Sequence, residues 1–309
     1  MEAGKRQRQL VWFAAAMTIV ACVSLAMPTA LDAQAVRRGP TPQFLSASAD
    51  VVPARWHAQY LAHLPPTISL PADELGTRLV TEYGAMLVAR GVVLPPTGMF
   101  LSEEAVAEWQ KQTLGDGAGL HLQPAAQAAL ASAREEAARV GLTITARSDD
   151  SGPRRYHDTL DLWTSRVEPG LAHWVKSGRL GSAEVNAIRN LTPHAQTRAI
   201  LQLERAGMFF SKDFSKSILS SVAPPGASQH LSLLAYDVKE HDDPRVRAIL
   251  ARHGWHQTVV GDLPHFTYLG APAAELKSLG LINVERADRR FWVPRPARHA
   301  DSDALLSSR

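Results

Sequence analysis

Two histidines and two aspartates in the last third of the chain have the types and spacing to do chemistry. His230 and Asp237 stand seven residues apart around the strand-like run SQHLSLLAYDV, and Asp262-Leu-Pro-His265 follows in a loop. If the run stayed extended, an odd spacing would put His230 and Asp237 on opposite faces. Both can reach one ion only if a turn or bulge between them re-aims a side chain. Taken alone the pair carries little weight, because a chain with 12 His makes chance pairs common. The loop adds a carboxylate and an imidazole at the mouth of two neighbouring strands. Two imidazoles and one carboxylate, with a fourth position left open, form a zinc donor set. Water on such an ion loses a proton near neutral pH. A spare carboxylate beside it can accept that proton and pass it to a leaving amine.

The elements that must position these residues can be read from pattern. Val222-Ala-Pro-Pro-Gly226 is a rigid turn ahead of the His230 run. Residues 256–260 and 265–269 are strand-like and joined by Gly261-Asp262-Leu263-Pro264, which predicts a hairpin with a longer loop. Asp243 as N-cap and Gly254 as stop bound a short helix over 244–253. The clearest helix is 123–140, with Pro124 at its start and Gly141 at its exit. Residues 142–145 alternate as a strand should, and the polar turn SDDSGPRR follows. Further helices are expected over 72–90, 102–112, 156–167, 183–190 and 193–205. Helices mixed irregularly with hairpin strands give an α+β class: a small antiparallel sheet carrying the site, flanked by helices, behind a helical N-terminal extension.

The N-terminal segment bears on compartment. Lys5, Arg6 and Arg8 precede an apolar run over 10–27, Pro28 ends it, and Ala33-Gln34-Ala35 supplies the small residues a signal peptidase reads. That order describes a cleaved secretory signal over 1–35 rather than an anchor, and it predicts a secreted or periplasmic protein with no membrane association afterwards. Residues 36–121 then form a linker and helical extension, 122–295 the site-bearing domain, and 296–309 a disordered tail. The single Cys22 leaves with the signal, so neither a disulfide nor a Cys nucleophile is available. A net charge of +3 without a basic run interleaved with aromatics excludes nucleic acid as a partner.

The string APPGASQHLSLLAYD resembles the A-P-P-G-x-S-x-H-x-x-G-x-A-x-D segment of VanY-type D-alanyl-D-alanine carboxypeptidases, and DLPHFTYLG resembles their E-x-x-H-F-x-Y-x-G segment. The stretch LQPAAQAALASAREEAARVGLTITARS is similar to the helix and strand that open that domain. In the family these lead into a strand ending in Y-R-S, whose Arg helps bind substrate and stabilise the transition state. The resemblance covers roughly residues 122–270. It implies His230, Asp237 and His265 as ligands of Zn2+, Asp262 as the catalytic carboxylate and Ser228 as a substrate-side residue orienting the site. Arg154 in PRRYHDT becomes the arginine that meets substrate and oxyanion, with Arg155 as a neighbouring alternative. The substrate implied is a peptidoglycan peptide, cut at D-Ala-D-Ala or a related D-centre.

Three departures stand out. Leu233 occupies the motif's Gly, Asp262 is one methylene shorter than Glu, and the chain between Arg154 and His230 is long, implying an inserted helical segment over the site. The departures at Leu233 and Asp262 support a second reading, a catalytically weak zinc-bearing module that binds peptidoglycan. Other candidates have plainer explanations. His253 and His256 read as satisfied structural residues, Trp163, Trp174, Trp255 and Trp292 as core, and Lys239-Glu240-His241-Asp242-Asp243 as a solvated turn.

Overall fold

The computed structural model describes residues 56–68, 70, 74–95, 99–115 and 121–296. The expected signal segment over 1–35, the expected linker as far as residue 55 and the expected tail over 297–309 lie outside the described residues. The described chain mixes helices with small antiparallel sheets, an α+β architecture.

The sheet that carries the site has three strands: β1 (Ala235–Asp237), β2 (Trp255–His256) and β3 (His265–Tyr268), in the order β1-β3-β2. Both pairings are antiparallel, and Asp237 stands directly opposite His265. The helix expected over 123–140 runs Pro124–Arg139, and that expected over 244–253 runs Pro244–Arg252. Leu122, Ala126, Leu130, Ala133 and Ala137 recur at helical spacing and form one buried face against Ile249, Trp255 and Phe266. Residues 142–145 are not a strand: only Ala146 bridges, to Val238, although the Lys239 amide does donate to Thr145. Thr143 and Thr145 instead hold Glu240 through their hydroxyls.

For the described residues we number the helices α1 (Ala58–His63), α2 (Glu74–Tyr83), α3 (Glu103–Leu114), α4 (Pro124–Arg139), α5 (Tyr156–Lys176), α6 (Ser182–Arg189), α7 (Pro193–Arg205) and α8 (Pro244–Arg252). Ser102 caps α3, its hydroxyl accepting from the Ala105 amide at 3.2 Å. The segment between Arg154 and His230 is helical, comprising α5, α6 and α7. Helix α5 runs nine residues past its expected end at 167, through Glu168-Pro169-Gly170. An internal proline costs about 3 kcal/mol in a helix. Trp163, Val167, Leu171 and Trp174 outweigh that by forming one buried stripe, and the Phe210 ring sits where a Cβ on Gly170 would be.

The described residues between 56 and 88 are built into the same body. Trp56, Tyr60, Val80, Ala85 and Val88 pack with Leu269, Leu276, Leu279, Leu281 and Trp292, while Leu75 and Tyr83 join the cluster under α5–α7. A second hairpin, β4 (Leu281–Arg286) with β5 (Arg289–Pro294), had no sequence expectation attached. Pro296, the expected first residue of the tail, bridges to Trp56.

Candidate metal centre

Each donor arrives on a different device. Asp237 ends β1 and His265 opens β3, and their antiparallel register puts them face to face. His230 does not lie on a strand. Residues 229–233 turn tightly, with the Leu231, Ser232 and Leu233 amides donating to the carbonyls of Ser228, Gln229 and His230. Leu233 completes the reversal at φ 57°. This is the turn that the odd spacing requires, and it brings His230 Nε2 to 3.4 Å from Asp237 Oδ1. The turn is anchored upstream by Gly226 at φ 84°, where a Cβ would lie 1.8 Å from the Phe100 carbonyl oxygen. The loop after residue 146 wraps the strand end: the Asp237 amide donates to Ser151 and the Arg147 amide to Asp237.

His230, Asp237 and His265 are all buried, and one ligand atom from each lies within 4.8 Å of the others. The group could hold a metal ion. Protons decide how well. His230 Nδ1 lies 2.6 Å from the Gly152 carbonyl oxygen, which can only accept, so Nδ1 carries the hydrogen. Burial pushes the His230 imidazole down to about 4, so it stays neutral at physiological pH. Its Nε2 is therefore a bare lone pair, buried and without a hydrogen bond to any described residue. His265 has an oxygen acceptor beside each ring nitrogen. Its Nε2 lies 2.8 Å from Gln229 Oε1, and its Nδ1 lies 3.2 Å from Asp237 Oδ1. A proton on Nε2 alone would leave Nδ1 as a second lone pair facing the same carboxylate. Three acceptors converging in a buried space repel one another unless a cation sits among them. That donor chemistry fits a metal ion.

A cleft of about 890 Å³ opens beside this group. The structure brings every sequence-proposed site residue to it. Asp262 sits three residues before His265 in the β2–β3 loop, and its carbonyl accepts from the His265 amide. Burial raises the Asp262 carboxyl, as does the Asp237 charge, against the lowering effect of His265 and Arg154. Arg154 Nη2 pairs with the outer oxygen of Asp237 at 3.3 Å, leaving Oδ1 to face the imidazoles. Arg155, the neighbouring alternative, is exposed and pairs with Asp158 at the start of α5. Ser228 lines the cleft beside His230, and its hydroxyl makes no hydrogen bond with a described residue.

Several lining residues had no place in the sequence reading. Helix α5 contributes Thr159, Leu162 and Arg166, so of the three helices between Arg154 and His230 it is α5 that walls the cleft, with no lining residue from α6 or α7. Arg166 Nε is buried without a hydrogen-bond partner among the described residues. Arg147, which closes the stretch LTITARS, lines the cleft too. Gln229 and the Gly152 carbonyl, each within hydrogen-bond distance of one of the two imidazoles, carried no sequence signal. The other expectations hold: Trp163, Trp174, Trp255 and Trp292 are core, and His256 is buried with Nε2 2.8 Å from the Ala271 carbonyl oxygen. His253 is half-buried and pairs with Glu136. Asp243 caps α8, and Asp242 pairs with Arg289.

No family model, curated protein or solved structure matches the chain. The functional reading rests on the site.

Proposed function

We propose that the chain is a zinc-dependent peptidase that cleaves peptidoglycan peptides at D-Ala-D-Ala or a related D-centre, like the VanY-type carboxypeptidases its motifs resemble. The observation that carries this reading is the convergence of two buried imidazoles and one carboxylate beside a second, uncommitted carboxylate. Two nitrogens and one oxygen, with no thiolate available, suit zinc with an open position for chemistry. When bound there, zinc supplies Lewis acidity toward a peptide carbonyl and lowers the pKa of water.

The chain's own residues supply the rest. Asp262, raised by burial, takes a proton onto a carboxylate oxygen from the attacking water and delivers it to the leaving amine nitrogen. Arg154 holds Asp237 in place and, with Arg147 and Arg166, makes one flank of the cleft cationic. Such a flank suits the terminal carboxylate of a peptide, which a guanidinium can hold with two hydrogen bonds. Ser228 offers a hydroxyl to the substrate backbone. Residues 1–35 would direct the chain to the cell envelope, where peptidoglycan is found. The shorter reach of Asp262 relative to Glu favours one alternative, a zinc-bearing peptidoglycan-binding module with weak catalysis.

The test is hydrolysis of a muropeptide ending in D-Ala-D-Ala, before and after chelation and zinc return. Release of D-Ala that stops on chelation and resumes with zinc is the expected result. Binding of the peptide without cleavage, with zinc in place, would replace the enzyme by the binding module.

A further inference from the structure

His265 has two possible tautomers, and its neighbours pull in opposite directions. Asp237 Oδ1 lies 3.2 Å from Nδ1 and would accept a proton from it. Gln229 Oε1 lies 2.8 Å from Nε2 and would accept a proton there instead. Only the second choice leaves Nδ1 bare toward His230 and Asp237. The outcome turns on which end of the Gln229 amide faces the ring, since the amide nitrogen could not accept a proton. That orientation is fixed from outside the site. Gln229 Nε2 donates to the Tyr83 carbonyl at 2.9 Å, so Oε1 must point at His265. Thr267 adds a hydroxyl donor to the same oxygen, and Thr258 bonds to Thr267 at 2.6 Å. Gln229, Thr258, Thr267 and His265 are all buried, where an unmade hydrogen bond is costly.

We infer that Gln229, clamped by the backbone carbonyl of Tyr83 at the end of α2, is a positioning residue that holds His265 as the Nε2–H tautomer and so presents Nδ1 to the metal. This deepens, and rests on, the metal-site reading proposed above. It also gives the N-terminal helices a role: Tyr83 belongs to a segment far from the donor motifs in sequence, yet its carbonyl orients the amide behind a ligand. Removing the amide leaves Asp237 as the stronger acceptor for the His265 proton, which then occupies the nitrogen the metal needs.

The experiment is nitrogen-15 NMR on the full chain with labelled histidine, first free of metal at about pH 9, where imidazoles are neutral. The wild type should carry the His265 proton on Nε2; a proton on Nδ1 overturns the inference without any variant being made. Gln229→Leu should move the proton to Nδ1 and weaken zinc affinity, measured by chelator competition, by about 10–100-fold. Gln229→Glu keeps an acceptor for Nε2–H and should keep both the tautomer and zinc binding. An unchanged tautomer and affinity in Gln229→Leu, or equal loss in both variants, contradicts the assignment. Because the tautomer is read without metal, a wild type that bound no zinc would sink the peptidase reading while this measurement still decided the role of Gln229.

Discussion

His230 and His265 approach the same point through different ring nitrogens, and in each case the opposite nitrogen is committed to an acceptor that cannot move. Gly152 offers a backbone carbonyl to one, and the Gln229 amide serves the other. This is how outer residues usually orient metal-binding imidazoles. Removing one donor leaves two, too few for a structural or catalytic site. His230→Ala and His265→Ala should each lose zinc by elemental analysis at a metal concentration that saturates the wild type; full occupancy in either would show that the donor set is wrong. The ligands were legible because two ordered motifs carry them, whereas the partners that set their protonation were not. Gly152 acts through a carbonyl, which no side-chain pattern encodes. Gln229 is one polar residue among many in the sequence, and its meaning depends on Tyr83, 146 positions away. Arg154 was legible in PRRYHDT, whereas no sequence reading attached to Arg147, which lines the same cleft.

At the level of elements, the turn at 229–233 decides whether a His seven residues from an Asp can share an ion with it. Leu233 takes a left-handed conformation that costs an L-residue about 1–2 kcal/mol. In return its side chain is buried with Phe100, Trp109, Tyr156 and Leu231, a cluster built on α3 and the start of α5. Deleting a buried Leu side chain costs about 2–5 kcal/mol, more than the strain. Leu233→Gly should therefore destabilise by about 1–3 kcal/mol in urea unfolding, although it restores the motif residue. A gain in stability would mean that strain dominates. Gly226→Ala should be worse, at about 2–4 kcal/mol, because positive φ and collision with the Phe100 carbonyl act together. Elements with local signals were the readable ones: α3 by its Ser102 cap, α4 by its apolar spacing, and α8 by Asp243 and Pro244. Helix α5 extends past 167 through Pro169-Gly170, residues that disfavour a helix, because packing against Phe210 and the core overrides them. The β4–β5 hairpin turns through Ala287-Asp288, with Ala287 at φ 52°, and lacks the Asn-Gly or Asp-Gly signature that marks such turns.

Over the whole molecule, the described N-terminal helices share their cores with the C-terminal hairpin and with the inserted helices, so the site is held from both ends of the chain. Buried neutral histidines make that body acid-sensitive. His256, away from the donors, is pushed down to about 4 by burial from an ordinary 6.5. A folded-state value below the unfolded one means that the stability is present above pH 6.5 and lost as pH falls toward 4. Between pH 7 and 5 this one residue should account for about 1–2 kcal/mol of lost unfolding free energy. His256→Gln keeps a donor toward the Ala271 carbonyl and does not titrate, so its stability should fall less over that interval. Identical acid slopes for variant and wild type would place the sensitivity elsewhere.

The central claim, that a metal centre and Asp262 together cleave a peptide bond, is tested most directly by turnover per bound zinc in Asp262→Asn against wild type, on a D-Ala-D-Ala muropeptide. Asn is nearly the same size and accepts a hydrogen bond, but it cannot take a proton from water. Zinc content should stay at the wild-type level while turnover falls by about 10²–10⁴. Equal turnover at equal zinc would contradict the account, because another group would then be moving the proton.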